Sequence, residues 1–254
     1  MARLRLYGRL LRLGLVLAEG SLYAAALALR ERLGSTPPTA LRQRLTWRFM
    51  RHLRAALPFE VLVRGRLPDG PALWLANHVS WTDIAVLGAL CPLSFLAKAE
   101  VAQWPLAGWL ARQAGTLFIR RGASGDLGEQ LAVHLQHGHP LALFPEGTSS
   151  DGRDVLRFHP RLLAAAVASG APIQPVALRY RRAGARDTLA PFIDDDTLPA
   201  HLLRLLGAER AQVEVILLPP LDSRTLARSE LARRSHAAIA TAVRDTTEPD
   251  RAAA

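Results

Sequence analysis

Lysine is almost missing from this chain: of 32 basic side chains only Lys98 is not arginine. With so much alanine and leucine, this reads as genomic base bias, so arginine content alone points to no ligand. The single cysteine, Cys91, excludes an intramolecular disulfide and fits a reducing compartment. No Gly-x-Ser-x-Gly occurs, so the nucleophile elbow of the serine hydrolases is absent and a lipase-like reading is disfavoured. A glycine-rich phosphate loop, a dinucleotide fingerprint and zinc-finger spacing are absent too, as are internal repeats and long linkers. Aromatic residues are only 6% of the chain and form no basic platform, which argues against nucleic acid as a partner. What remains is 254 residues, enough for one α/β domain with a real core plus appended helices.

Charge is segregated. Residues 1–57 carry eleven arginines against Glu19 and Glu31, which accounts for +9 of the formal +10. The same region holds an apolar run from Leu13 to Leu29, broken by Gly14, Glu19, Gly20, Ser21 and Tyr23 and preceded by Arg3, Arg5, Arg9 and Arg12. Basic flanks beside an apolar run mark a membrane-associated segment. A cleaved signal is disfavoured by Glu19 and by the lack of a small-x-small cleavage site. A spanning helix just reaches the required length, with Glu19 a burden near mid-depth. An interfacial or re-entrant anchor tolerates Glu19 better and is the favoured reading. The following segment, Pro38 to Leu57, mixes Arg44, Arg48, Arg51 and Arg54 with Leu45, Trp47, Phe49, Met50 and Leu53, and reads as a surface helix between lipid and domain. An ordinary solvated basic helix is the alternative.

From Glu60 the period changes. Phe59–Arg64, Leu73–Asn77, Ser94–Lys98, Thr116–Arg120, Pro140–Pro145, Ile173–Leu178 and Val213–Leu218 read as seven short strands between helical stretches such as Asp126–His137 and His159–Ser169. The expected fold is α/β, a mixed sheet of about seven strands covered by helices, with membrane-associated helices ahead of it. The boundaries that follow are 1–57 for the basic anchoring helices, 58–247 for the domain and 248–254 for a flexible tail.

One stretch carries chemistry. In Asn77-His78-Val79-Ser80-Trp81-Thr82-Asp83 a histidine precedes an aspartate by five positions, between a strand and the apolar helix from Ile84 to Leu90. His78 therefore belongs at the open carboxyl end of a sheet, where ligands collect. A carboxylate beside an imidazole fixes its tautomer and stabilises the imidazolium, so the pair is the base half of a triad. No nucleophile accompanies it, since Cys91 lies in apolar surroundings, so the activated hydroxyl belongs to a substrate. Ser80 to Asp83 also reads as a helix capping box, with Ser80 as N-cap.

Three further segments follow in order: Gly115-Thr116-Leu117-Phe118-Ile119-Arg120-Arg121, Phe144-Pro145-Glu146-Gly147-Thr148, and Pro172-Ile173-Gln174-Pro175-Val176. With Asn77-His78-…-Asp83 these resemble the four sequence blocks of the glycerolipid acyltransferases typified by 1-acylglycerol-3-phosphate acyltransferase, across about residues 60–180. The resemblance implies that His78 is the catalytic base and Asp83 its orienting partner. It implies substrate contacts from Arg121, Glu146, Gly147, Thr148 and Pro175; alternatively, Glu146 makes a buried salt bridge to Arg121. It also implies transfer of a fatty acyl group from acyl-CoA or acyl carrier protein, with no cofactor. The partners would be a phospholipid membrane and a lysolipid acceptor, and the site of action the cytoplasmic face of the inner membrane.

One departure bears on the acceptor. The family's block continues Gly-Thr-Arg-Ser, whereas this chain has Gly147-Thr148-Ser149-Ser150-Asp151-Gly152. An arginine suited to a phosphate is missing. Ser149, Arg153 and Arg157 become possible acceptor contacts, and Arg153 or Arg157 could compensate. The variant block is similar to a bacterial subset that includes lyso-ornithine lipid acyltransferases. The expected acceptor is 1-acyl-sn-glycerol-3-phosphate, giving phosphatidic acid, with a lyso-ornithine lipid as the alternative. A non-catalytic basic membrane-binding module is the rival from a different class. His134, His137 and His139 straddle a helix end and the Gly138 turn without a carboxylate at ligand spacing, so no metal is expected. Asp194-Asp195-Asp196 reads as a solvated loop capping a helix near Leu198, and Trp104 and Trp109 as an acyl channel, a membrane rim or core packing.

Overall fold

A computed structural model describes residues 2–36, 39–119 and 127–245. The sheet has the order β1-β8-β6-β2-β5-β3-β4, from β1 (Phe59–Arg64), β2 (Leu73–Ala76), β3 (Ser94–Lys98), β4 (Leu117–Ile119), β5 (Leu141–Leu143), β6 (Ile173–Arg182) and β8 (Ala211–Leu217). An eighth strand, β7 (Ala185–Arg186), pairs only with β6. Pairing is parallel throughout except between β6 and β8 and between β6 and β7. The expected mixed sheet is present, with all seven anticipated strands. The extra hairpin arises where Ala183 and Gly184 both take positive φ, the geometry of a tight two-residue turn.

Residues alternate along the central strands between two cores. Trp74 and Ala76 join one apolar cluster with Val86 and Leu87 of α3 (Thr82–Gly88) and Leu205 of α7 (Leu198–Gly207). Leu73 and Leu75 join the other, with Leu131 of α5 (Leu127–Gln136), Ala166 of α6 (Ala164–Ser169) and Ile239 of α8 (Arg228–Arg244). A strand covered on both faces is apolar at every position, which is why Leu73-Trp74-Leu75-Ala76 is a continuous run. The stretch expected as a helix over His159–Ser169 begins instead as a 3-10 turn, Pro160–Leu163, ahead of α6.

Two helices are laid on this domain ahead of β1, α1 (Ala2–Arg32) and α2 (Thr39–Ala56). Leu13, Val16, Gly20, Ala24 and Leu27 form the buried face of α1, which packs on α2, α7 and α4 (Pro105–Gln113). Leu4, Leu11, Leu15, Leu22 and Leu29, each between 58% and 76% exposed, lie on the opposite face; nine residues at 100° each turn Leu4 half a circle away from Leu13. Gly20 is no accidental break in the run: a Cβ there would lie 2.5 Å from the Phe49 ring of α2. Glu19 is likewise accommodated, by Arg48 at 3.3 Å, His52 at 2.5 Å and the Tyr23 hydroxyl. The N-terminal helices also supply donors to helix carboxyl ends, where carbonyls lack partners. Arg9 donates to Leu206 O and Ala208 O at 2.8 and 2.6 Å, and Trp47 Nε1 to Ala89 O at 3.0 Å.

Candidate active site

Parallel pairing puts the carboxyl ends of β2 and β5 side by side, and the residues that follow those ends meet. At the end of β2 the Asn77 side chain takes over from backbone. Its Oδ1 accepts Leu178 N–H at 2.7 Å and its Nδ2 donates to Leu178 O at 3.0 Å. The ladder with β6 is thereby satisfied while the main chain leaves the sheet, and His78 is the first residue free of it.

His78 is held from four directions. Its N–H donates to Glu146 Oε1 at 2.7 Å, its carbonyl accepts Ser150 N–H at 2.8 Å, and its ring stacks on Phe144 with centroids 4.0 Å apart. Nδ1 lies 2.8 Å from Asp83 Oδ2. A carboxylate can only accept, so Nδ1 carries the proton and Nε2 offers its lone pair. The side chain is 20% exposed and faces the cleft, while Asp83 is fully buried behind it. An imidazole fixed in this way can take a proton from a hydroxyl brought to Nε2.

Asp83 is bound more completely than a helix cap requires. Its Oδ2 also accepts Val79 N–H at 2.7 Å and Ser80 N–H at 3.0 Å, and its Oδ1 accepts the Tyr180 hydroxyl at 2.5 Å. Only half of the expected capping box forms: Trp81, not Ser80, occupies the N-cap of α3, and Ser80 Oγ has no partner among the described residues. Tyr180 lies 97 residues from Asp83 in sequence and no local signal pointed to it. Burial, and next the Asp83 charge, hold its phenol well above the ordinary range, so it stays a donor.

Glu146 is 5% exposed, and its oxygens go to His78 N–H and to Leu156 N–H, each at 2.7 Å. Burial pushes its carboxyl up to about 7, against the pull of those two amides and of His78. Gly147 follows with φ +72°, a conformation that favours glycine, and turns Thr148 and Ser149 towards the cleft. Ser149 Oγ donates to the carbonyl of Phe192, whose own N–H donates to Val79 O at 2.9 Å. The loop after β7 is thus tied to the His78 turn.

The cleft measures about 2510 Å³ and extends from His78 to the apolar walls of α1, α2 and α4. Glu146, Gly147, Thr148, Ser149 and Arg157 line it, as does Trp104. Pro175 does not. It is buried within β6 opposite Leu75 of β2, so the expected substrate contact is replaced by sheet packing. Arg153 also stays off the cleft wall, its guanidinium 3.1 Å from Asp151. Arg121 lies outside the described residues, and with it the anticipated pairing to Glu146. Burial pushes the Cys91 thiol up to about 12, which leaves it unsuited to act as a nucleophile. Backbone N–H groups at 78–80 are spent on Glu146 and Asp83, so an oxyanion must be held elsewhere. Among the described residues the amides of Thr148 and Ser149 have no acceptor. His134 is held down to about 4 by burial and by His139 and His137, and it does not line this cleft. Thr197, not Asp194–Asp196, occupies the N-cap of α7, where no side-chain capping bond forms; Asp196 pairs with Arg204.

Comparison with known proteins places the chain in a family. The Acyltransferase family model matches residues 59–179. A lyso-ornithine lipid O-acyltransferase of Pseudomonas aeruginosa is 54% identical, over 98% of this chain and 97% of its own length. A 1-acyl-sn-glycerol-3-phosphate acyltransferase of Neisseria gonorrhoeae is 36% identical over 63% of this chain and 65% of its own. Among solved structures, the 1-acyl-sn-glycerophosphate acyltransferase of Thermotoga maritima superimposes with a TM-score of 0.69 at 21% identity, covering 96% of both chains. This last likeness speaks to the fold alone.

Proposed function

Because the chain belongs to the acyltransferase family, as an O-acyltransferase of lysolipids, we propose that it carries an acyl group from an acyl thioester to the free hydroxyl of a lyso-ornithine lipid. The observation that carries the acceptor is Ser149. It stands where the resembling family has an arginine, and its hydroxyl is already engaged by Phe192 O. Beside it Asp194 lines the cleft, a carboxylate that suits the amine of ornithine and repels a phosphate, whereas the charge of Asp151 is already paired with Arg153. The relative that matches along nearly the whole chain bears the lyso-ornithine name. Lysophosphatidate remains the second reading, favoured by Arg157 and Arg161, which line the same cleft with no carboxylate paired to them among the described residues.

In the proposed reaction His78 Nε2 takes the hydroxyl proton as that oxygen attacks the thioester carbonyl. Asp83 stabilises the imidazolium, and the amides of Thr148 and Ser149 hold the oxyanion. The C–S bond then breaks. The sulfur leaves as a thiolate or takes the proton back from His78, and the ester remains on the acceptor. Glu146 acts by holding the His78 turn in place. The donor, coenzyme A or acyl carrier protein, enters as a co-substrate. The leucine face of α1, flanked by Arg3, Arg12, Arg30 and Arg32, supports a monotopic anchor on the cytoplasmic side of the inner membrane, with α1 lying in the interface.

The test is a side-by-side assay of purified protein with labelled acyl-CoA or acyl carrier protein and each lysolipid. The expected result is a higher kcat/KM for the lyso-ornithine lipid, with Ser149→Arg raising use of lysophosphatidate. A wild-type preference for lysophosphatidate overturns the proposal.

A further inference from the structure

Resting on the proposed role of His78, the geometry points to Tyr180 as a positioning residue for the base: its hydroxyl fixes the rotation of the Asp83 carboxylate and draws off part of its charge, and so sets the basicity of the His78 ring.

Tyr180 comes from β6, a strand that carries none of the residues in contact with the cleft beside His78. Its hydroxyl is 2.5 Å from Asp83 Oδ1 and 3.1 Å from Thr82 Oγ1. The carboxylate can only accept, so the phenol donates to Asp83 and accepts from Thr82. Every proton in the chain Thr82, Tyr180, Asp83, His78 then has one direction. Oδ2 already holds three donors, and among the described residues Tyr180 is the donor that Oδ1 has, so its hydroxyl sets the plane of the carboxylate. A charge-assisted bond between two buried groups is among the stronger side-chain interactions in a protein. A second, separate job of the ring is packing: it meets Phe59 edge-on, with centroids 5.3 Å apart. That contact needs the ring and not the hydroxyl.

The two jobs separate by substitution. Tyr180→Phe keeps the ring and removes the donor. Asp83 then concentrates its charge on the His78 side, which favours the imidazolium, so the base loses its proton at higher pH. The acid limb of the kcat/KM profile, and the titration of the His78 ring followed by NMR on 15N-histidine-labelled protein, should both move up by about half a pH unit or more. Turnover should fall roughly five- to fifty-fold, with the KM for the acyl thioester little changed. Phe59→Leu is the control: it disturbs the ring contact and lowers the melting temperature, yet leaves the His78 titration where it was. Thr82→Val should move the titration in the same direction by less, and supplies the answer should Tyr180→Phe not fold.

A His78 titration identical in wild type, Tyr180→Phe and Thr82→Val overturns the proposal, whatever the activities. The base role itself fails on a different result, full turnover in a folded His78→Ala protein.

Discussion

Replacing Glu146 by glutamine tests what the buried carboxylate does, because glutamine keeps its shape and changes two things. A carboxamide has one acceptor oxygen, whereas Glu146 serves two amides, those of His78 and Leu156, both at 2.7 Å. One buried N–H must face an NH2 group instead, at about 1–3 kcal/mol. That loss does not depend on pH. The second change does. Burial raises the carboxyl from its ordinary 4.5 to about 7, despite the opposing amide bonds, so between those values the folded chain holds a proton that the unfolded chain has released. Stability from this group is therefore complete below about pH 4.5 and is lost as pH climbs to about 7, a span worth about 3 kcal/mol. Glutamine does not titrate. Unfolding of detergent-solubilised wild type and Glu146→Gln, followed by tryptophan fluorescence from pH 4.5 to 8, should show wild type well ahead at the acid end. Whatever lead the lost acceptor leaves, it should shrink from the acid to the alkaline end by roughly 6–12 °C, the equivalent of about 3 kcal/mol at 2–4 °C per kcal/mol. Turnover of the variant should also fall, since the His78 turn loses a clamp. A gap that stays constant or widens with pH refutes the reasoning, for it would mean that Glu146 is ionised throughout.

Other expectations follow from the same geometry. His78→Ala should lower turnover by roughly 10²–10⁴ with fold and vesicle binding intact, as measured by initial rates and circular dichroism. Asp83→Asn should be nearly as severe, because the amide can no longer hold the proton on Nδ1. Gly20→Ala sets a methyl against the Phe49 ring and should cost about 1–3 kcal/mol in unfolding experiments, much of it recovered by adding Phe49→Leu. Leu11→Ser, Leu15→Ser and Leu22→Ser together strip the outward face of α1 without touching its inward face. Sedimentation with anionic vesicles should then fall by tenfold or more even at low salt.

The central strands β2 and β5 were legible because they are covered on both sides, so each is an unbroken apolar run between turns. The His78 and Asp83 pair was legible because five residues separate the two, and local spacing survives folding. What could not be read came from distance or from muted contrast. Tyr180 reaches Asp83 across the sheet, and Phe192 meets Ser149 through a loop far along the chain. Helix α8 buries Ala232, Ser235 and Ala240 between arginines, and small residues blur the helical period. Pro175 misled because a motif marks residues that matter without saying how; here it packs between strands. Glu19 and Gly20 looked like flaws in an apolar run, and both meet α2, Glu19 through Arg48 and His52 and Gly20 through Phe49.

The walls of the cleft belong partly to α1 itself: Leu13, Leu17 and Leu27 face the space that leads to His78, while Leu11, Leu15 and Leu22 face outward. The segment that would rest on a bilayer is therefore also the doorway, and a lysolipid would pass sideways into the cleft without crossing bulk water. Kinetics of this kind are two-dimensional. The quantity that governs the rate is the mole fraction of lysolipid in the surface, so inert phospholipid added at fixed lysolipid would slow the enzyme by dilution within the plane alone.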